Sequence, residues 1–197
     1  MNQNRSGASS CSEGNTRKML IGSVNALLVL VLLMAGNAWS KSAYEIDLRV
    51  DSMLKRFVKE VGAGQEFLDA AAGVLVFPRV IKAGIGIGGE YGEGALRVDG
   101  ETAQYYSTAA GSIGFQLGAQ SKAIFVLFMS DDSLAQFRSS TGWKAGVDGS
   151  ISLIKVGAAG AIDSQNTSDP IIGFVLTNKG LMYNLTLEGT KMTKIVR

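Results

Sequence analysis

The amino-acid sequence predicts an α+β domain, in which an N-terminal amphipathic helix packs on a glycine-rich twisted antiparallel sheet or partly closed β-barrel. Three observations predict this class: a helical period of apolar residues, a period-two alternation of glycine, and short apolar runs bounded by turn residues. Glycine supplies 25 of the 197 residues without a repeating triplet, which excludes collagen. With 46% hydrophobic and 18% charged residues, the chain is expected to form a packed core rather than a disordered segment.

A targeting segment is predicted before this domain. Its features are, in order, the polar stretch 1–16, the cations Arg17 and Lys18, the apolar run Met19–Ala35, and the small residues Gly36, Ala38 and Ser40. This order is typical of a secretory signal peptide, here residues 1–40 with a long polar n-region, cleaved after Ala38 or Ser40. The alternative is an uncleaved membrane anchor, although a run of about 17 residues is at the short limit for spanning a bilayer. Residues 41–197 then form a single domain.

The first helix of the domain is predicted over residues 44–61. Its apolar residues recur at steps of three and four, and charged residues occupy the other face. The apolar set is Ile46, Val50, Met53, Leu54, Phe57, Val58 and Val61. This stripe is expected to cover the β core, and the alternative is that it touches a membrane. Glycines at 62 and 64 end the helix, and a short second helix is predicted over residues 65–72.

Strands are predicted from residue 74 onward. An apolar strand, 74–77, is closed by Pro78, and glycine then alternates with larger residues over 83–94. A strand with this pattern has one face without side chains, so that another backbone or a helix can approach it closely. A turn at 98–100 precedes a further stretch of strand, 102–119.

The second half of the domain continues this alternation of elements. Residues 124–129 predict a buried strand, and Ser130 is a helix cap before one or two helical turns. Trp143 opens another glycine-punctuated stretch to residue 161, as either a core anchor or an interfacial aromatic residue. After a polar loop at 163–169, strands at 171–177 and 181–187 are predicted to form a hairpin around a turn at 178–180.

Several catalytic classes are disfavoured by the composition. The chain contains no histidine, which removes Ser-His-Asp and Cys-His mechanisms and the commonest metal ligand. Its single cysteine, Cys11, precedes the apolar run and cannot form an intrachain disulfide. The glycines of 84–89 satisfy a dinucleotide-binding pattern, but no helix start follows them. The carboxylate pairs Asp131/Asp132 and Glu90/Glu93 lack a supporting constellation, so a hydrolase is only a third possibility, and no metal or cofactor is expected.

The charge of the domain is balanced. Residues 1–40 hold three of the 19 basic residues and one of the 17 acidic residues, which leaves 16 of each in the remainder. A near-neutral domain has no broad basic field, so nucleic acid is not an expected partner.

Several segments resemble the SYLF domain family, in the family's order and over roughly residues 44–190. The segments are Ala72–Gly84, Gly88–Gly94, Gly111–Gln120, Val126–Ser130 with Leu134 and Phe137, and Gly180–Gly189. The resemblance implies lipid binding, because similar eukaryotic proteins bind phosphoinositide membranes and some of them bind actin filaments. An exported bacterial protein would not meet actin, so only the lipid-binding property is expected here.

The resemblance also implies where lipid would bind. It points to Lys55, Arg56, Lys59 and Lys82. Arg79, which with Lys82 flanks the strand end at 77–82, completes the expected basic patch, and the alternative for these two is ordinary surface charge or an ion pair. Asp47 and Asp51 depart from the pattern because they add acidic charge to the first helix. The predicted function is that of a non-enzymatic phospholipid-binding protein of the cell envelope, whose partner is an anionic membrane surface. It would lie in the periplasm if the source is a diderm bacterium. The alternative is a structural or protein-interaction module of the envelope without lipid specificity.

Overall fold

The computed structural model describes residues 42–114, 120–154, 169–178, 180–181 and 187–197, with backbone alone at 85–87, 112–114 and 181. They belong to one compact unit, Lys41–Arg197. The predicted signal segment and most of the predicted loop at 163–169 lie outside the described residues.

Three helices occur within this part of the chain. Helix α1 spans Ala43–Glu60, α2 spans Gly64–Ala70 and α3 spans Asp131–Ser139. The predicted cap of α3 is confirmed, because the Ser130 side chain accepts a hydrogen bond from the backbone N–H of Ser133 at 3.3 Å. None of these helices combines the length and apolarity that crossing a membrane would require.

The strands form one curled sheet, a half-barrel. They are β1 Gly73–Val98, β2 Glu101–Gly114, β3 Gln120–Phe128, β4 Gly142–Lys144, β5 Ser152–Leu153, β6 Ile171–Thr177, β7 Gly180–Leu181 and β8 Lys191–Ile195. Their order is β4-β8-β2-β1-β3-β6-β5, and β7 pairs with β6. The α+β class is therefore confirmed, but the expected antiparallel sheet is mixed, because β5 runs parallel to β6.

Two turns follow the predicted sequence signals. Between β1 and β2, Asp99 and Gly100 both have positive φ, 52° and 81°, which is the geometry of a two-residue type I′ hairpin. The hairpin of β6 and β7 is also present, with Thr177 paired to Gly180, and residues 182–186 of its second strand lie outside the described part.

The prediction that Pro78 closes a strand is wrong. Strand β1 continues through Pro78, and its register against β3 shifts between Phe77 and Val80. Phe77 pairs with Ile124 and Val80 pairs with Lys122, so β1 contains one extra residue at this point. Proline is tolerated here because a β-bulge leaves one residue outside the hydrogen-bond ladder.

The bare face of the glycine-rich strand is used for close packing, as predicted. A Cβ atom at Gly92 would lie 2.9 Å from the carbonyl oxygen of Arg79. At Gly94 it would overlap the carbonyl oxygen of Val76 and lie 2.8 Å from the Val76 carbonyl carbon. The second half of β1 therefore packs directly on the backbone of its first half, and a side chain at Gly94 would prevent this contact.

Apolar side chains are buried on both faces of the sheet. On one face, Phe57 of α1 contacts the rings of Phe125 and Phe174 at centroid distances of 4.7 and 4.9 Å. On the other, Phe137 of α3 packs against Trp143 at 5.7 Å, so Trp143 is a core anchor. The apolar stripe of α1, apart from the exposed Val58, packs against the sheet, which favours the core alternative over direct membrane contact by that stripe.

Candidate functional site: a basic groove

A groove of about 330 Å³ lies between α1 and the sheet, beside the bulge of β1. We call it the basic groove. It is lined by Leu48, Arg49, Ser52, Met53, Arg56, Pro78, Arg79, Ser121, Lys122, Ala123, Leu176 and Asn178. Four of these residues are cationic, and most of the others are apolar or small. This combination suits a ligand that carries a negative charge next to an apolar or uncharged group.

Helix α1 provides two of the cations. Arg49 and Arg56 are seven residues apart, about two helical turns, and therefore lie on the same flank. Each pairs with a carboxylate one turn away: Arg49 Nη2 lies 2.7 Å from Glu45 Oε1, and Arg56 Nε lies 2.7 Å from Glu60 Oε1. Arg56 also donates through Nη2 to the carbonyl oxygen of Thr177 at 2.6 Å, which connects α1 to the end of β6.

The bulge of β1 presents the third cation. Arg79 is the residue after Pro78, and both line the groove. Bulges commonly redirect a side chain, since the extra residue breaks the regular alternation of the strand. Arg79 is exposed and makes no hydrogen bond or ion pair within the described residues. Its guanidinium is thus available to a ligand.

A shared carboxylate lies next to the fourth cation. Lys122 Nζ of β3 lies 2.6 Å from Glu90 Oε2, and Lys82 Nζ lies 3.9 Å from Glu90 Oε1. Lys82 is outside the groove lining. The predicted lipid-contacting Lys82 is therefore linked to the groove through Glu90 rather than being part of it.

The two predicted lysines of α1 have a different position. Lys55 and Lys59 are exposed and do not line the groove. Neither makes an ion pair within the described residues. The predicted patch is thus divided: Arg56 and Arg79 share the groove, Lys82 lies beside it, and Lys55 and Lys59 extend from the outer face of α1.

The acidic residues of α1 belong to a separate cluster on its other flank. Asp47 accepts hydrogen bonds from Thr102 Oγ1 and the Tyr105 hydroxyl, both at 2.7 Å. Asp51 Oδ1 lies 2.7 Å from Nη2 of Arg97, whose side chain is largely buried. Burial and the hydrogen bond to Asp47 raise the pKa of Tyr105 above its usual value. Asp47 and Asp51 therefore attach α1 to the sheet, and their charges are met there by Arg97.

Two cations of the basic groove, Arg49 and Lys122, were not predicted from the sequence as site residues. Arg49 could have been found from its seven-residue separation from Arg56, which places both on one flank of a helix. Lys122 had no comparable signal, since its position depends on the pairing of β3 with the bulged part of β1. The described part of the groove lining contains no carboxylate, cysteine or histidine.

Exposed apolar side chains accompany the basic groove. On α1, Leu48 is 51% exposed, at the rim of the groove, and Tyr44 is 72% exposed near the start of the helix. Within the described residues, no group of three potential metal-ligating side chains lies close enough together to hold a metal ion. The arrangement offers cations and apolar contacts rather than an acid–base pair.

The fold and the groove define a class: an α+β half-barrel domain with a helix docked on one face of its sheet and a cationic groove between that helix and the sheet. Residues 109–195 match the family model described as "Ysc84: Las17-binding protein actin regulator". This match confirms the resemblance to the SYLF (Ysc84) domain family. No match was found among curated proteins.

Proposed function

We propose that the domain is a non-enzymatic phospholipid-binding module of the cell envelope that contacts an anionic membrane surface. The observation that carries this proposal is the basic groove, where Arg56 and Arg79 meet Arg49 and Lys122 beside exposed Leu48. Guanidinium groups bind phosphate oxygens well because their N–H groups match the geometry of the anion. A cation near an anionic membrane surface contributes about 1 kcal/mol.

Apolar contact would come from exposed residues of α1 rather than from the part of the stripe that packs on the sheet. The stripe itself is held in the core by Phe57 and its neighbours. Tyr44 and Leu48 remain exposed on α1, with Val58 at 38%. Shallow insertion of these side chains would add to the electrostatic attraction, as in other interfacial helices.

The proposal includes two further claims: the protein is exported from the cytoplasm, and it is not an enzyme. Export rests on the signal-like order of residues 1–40, in which the apolar run Met19–Ala35 is followed by small residues. A binding role is supported by the absence of histidine from the chain and by a groove lining of cations and apolar groups.

Flotation with liposomes tests the proposal. Residues 41–197 would be used, so that the apolar run Met19–Ala35 does not itself insert into the bilayer, and circular dichroism would check that the unit is folded. We expect binding that rises with the fraction of phosphatidylglycerol and falls with salt, because surface charges are screened. Lys55→Glu with Lys59→Glu should weaken binding, whereas Lys144→Glu with Lys191→Glu, at exposed positions of β4 and β8, is the control with the same change of charge. No binding at any anionic content would contradict the proposal.

A protein-interaction module is the second candidate. It is favoured by the description of the matched family, which names a protein-binding regulator. This candidate predicts that a specific protein partner in the envelope is crosslinked. It also predicts that the domain does not bind liposomes preferentially at any lipid composition. Crosslinking in cells followed by mass spectrometry therefore separates the two candidates when it is combined with the flotation result.

A further inference from the structure

The two ends of strand β6 differ in charge. At its end, Leu176 and the following Asn178 line the basic groove, whose described lining holds four cations and no carboxylate. At its start, Ile171 lines a second hollow of about 440 Å³ together with Asp132 and Asp169. Neither lysine nor arginine occurs in the described lining of this hollow. The domain is therefore positive at one end of β6 and negative at the other.

The charge near the groove stays positive after its ion pairs are counted. The lining cations and their ion-pair neighbours comprise five cations and three carboxylates, which leaves a net charge of +2. They are Arg49, Arg56, Arg79, Lys82, Lys122, Glu45, Glu60 and Glu90. In the hollow, Asp169 accepts a hydrogen bond from the uncharged Ser152 hydroxyl, and neither aspartate forms an ion pair among the described residues. The hollow therefore keeps its negative charge.

The separation of these two regions is large compared with the range of electrostatic forces in salt. Strand β6 has seven residues, so its ends lie about 20 Å apart. This is more than twice the Debye length, which is about 8 Å at physiological salt. A negatively charged surface that touches the groove end attracts the cations and acts little on the hollow, whereas the reverse orientation brings the aspartates against it.

An exposed apolar side chain of β1 lies on the same side of the sheet as the groove. Ile81 is 39% exposed and pairs with Ser121 of β3, which lines the groove. Ala123, two residues further along β3, is buried in the core cluster beneath α1. Because side chains on one face of a strand recur every second residue, Ile81 and Ser121 are on the α1 side of the sheet.

An exposed aromatic side chain lies on the other flank of the bulge. Tyr91 is 52% exposed, and Ala95, four residues along β1, packs in the core beneath α1, so both are on this side of the sheet. A Cβ atom at Gly92 would lie 2.9 Å from the carbonyl oxygen of Arg79. This close approach places Tyr91 next to the bulge that carries Arg79.

From these positions we infer that an anionic bilayer contacts the bulge of β1, with Ile81 and Tyr91 inserted beside Arg79 and the start of β6 directed away from the membrane. The inference rests on the proposed function and adds a contact surface on the sheet to the one on α1. The occupant is a bilayer because cations flanked by separate exposed apolar and aromatic side chains suit the interface between head groups and acyl chains. Charge of the opposite sign at the far end fixes the orientation.

Fluorescent labels at single positions test this orientation. Residues 41–197 contain no cysteine, so one cysteine can be introduced at a time and labelled with a polarity-sensitive dye. We expect dyes at Ile81→Cys and Tyr91→Cys to shift their emission to shorter wavelength with phosphatidylglycerol vesicles. A dye at Val147→Cys should not respond. Val147 is 71% exposed and lies near the start of β6, since a Cβ at Gly149 would be 3.7 Å from the Ile171 side chain.

Apolar insertion is tested by a matched pair of substitutions. Ile81→Ser should weaken vesicle binding about fivefold, because the variant no longer transfers an apolar side chain out of water. Val147→Ser makes a similar change at the other end of the domain and should alter binding less than about twofold. Equal effects of the two substitutions would contradict insertion at the bulge.

A second pair separates orientation from net charge. Arg79→Ala and Asp132→Asn each change the net charge by one, in opposite directions. We expect Arg79→Ala to weaken binding about fivefold, because it removes a cation at the membrane surface. Asp132→Asn should change binding less than about twofold, because its charge lies beyond the screening length. Strengthening by Asp132→Asn as large as the weakening by Arg79→Ala would show attraction by net charge alone and overturn the orientation.

The outcomes distinguish this inference from the proposed function. Flotation of the labelled variants with vesicles, without a dye response at Ile81 or Tyr91, would retain membrane binding and overturn the contact at the bulge. Absence of flotation with every anionic vesicle would overturn both. If the dyes respond to an envelope extract cleared of membranes and not to vesicles, the surface binds a protein, and both the inference and the proposed function fail.

Discussion

At the scale of single residues, Gly94 allows the second half of β1 to pack on the backbone of the first half. A Cβ at Gly94 would overlap the Val76 carbonyl oxygen, and backbone cannot move aside as a flexible side chain can. We therefore expect Gly94→Ala to lower the free energy of unfolding by about 3 kcal/mol, measured by urea denaturation. Gly111→Ala is the matched control in the neighbouring strand, because its Cβ would have no atom within 4 Å. Equal stability of the two variants would contradict this packing.

Tyr106 is a second such position, because its phenol hydroxyl is expected to affect how stability depends on pH. Its hydroxyl is buried in the core on the α3 side of the sheet without a hydrogen-bond partner in the described residues, and burial raises its pKa to about 12. In the unfolded chain the pKa is about 10, so ionisation of this group does not affect stability below pH 10. As pH rises from about 10 to 12, the unfolded chain releases the phenol proton while the folded chain keeps it, which lowers the free energy of unfolding by roughly 3 kcal/mol.

Replacement of Tyr106 tests this assignment. Tyr106→Phe removes the unpaired hydroxyl, so we expect neutral to slightly higher stability at pH 7, because a buried polar group without a partner carries a desolvation cost. We also expect a smaller loss of stability than in the parent chain between pH 10 and 12, followed by denaturant titration at each pH. Tyr44→Phe, at an exposed position on α1, should leave the alkaline transition unchanged.

At the scale of elements, α1 is attached to the sheet by polar contacts as well as by its apolar stripe. Asp47 accepts from Thr102 and Tyr105, so Asp47→Ala leaves two partly buried hydroxyls without their acceptor. We expect a loss of about 2 kcal/mol in the free energy of unfolding. Asp69→Ala is the control, because Asp69 is on an exposed part of α2 and accepts from an exposed Gln65; it should change stability by less than about 0.5 kcal/mol.

The contacts of this cluster change the interpretation of the acidic residues on α1. In the sequence, Asp47 and Asp51 reduce the positive charge of the helix. In the structure they face the Arg97 side of the sheet, whereas Arg49 and Arg56 face the basic groove. Hydrogen–deuterium exchange of α1 would show the difference: faster exchange in Asp47→Ala than in Asp69→Ala supports attachment through this cluster.

At the scale of the whole molecule, export and processing remain a prediction from residues 1–40. Expression of the full chain in a diderm bacterium should yield an envelope protein that begins at Trp39 or Lys41, determined by N-terminal sequencing of the fractionated product. A product that retains residues 1–40 and sediments with the membrane would instead support the uncleaved anchor. The signal is readable because its features are local: charge, apolarity and small residues in a set order.

Local patterns also account for most of the elements within the domain. The extent of α1, the cap of α3, the turn at Asp99 and Gly100, and the strand at β6 each depend on side chains near in sequence. The passage of β1 through Pro78 and the parallel pairing of β5 with β6 were not predicted, since both depend on which strand lies alongside.

The sequence by itself determined the α+β class, the docked helix, the close approach permitted by the glycines and the SYLF resemblance, because these follow from periodicity, side-chain size and ordered motifs. The tertiary structure alone decided which cations form a site. It placed Arg79 at a bulge beside Arg49, Arg56 and Lys122, and it gave all but Arg79 a carboxylate partner. The physical reason is that the net charge of a site depends on which charged side chains lie next to each other. Strand register and helix docking bring those side chains together, and proximity along the chain does not.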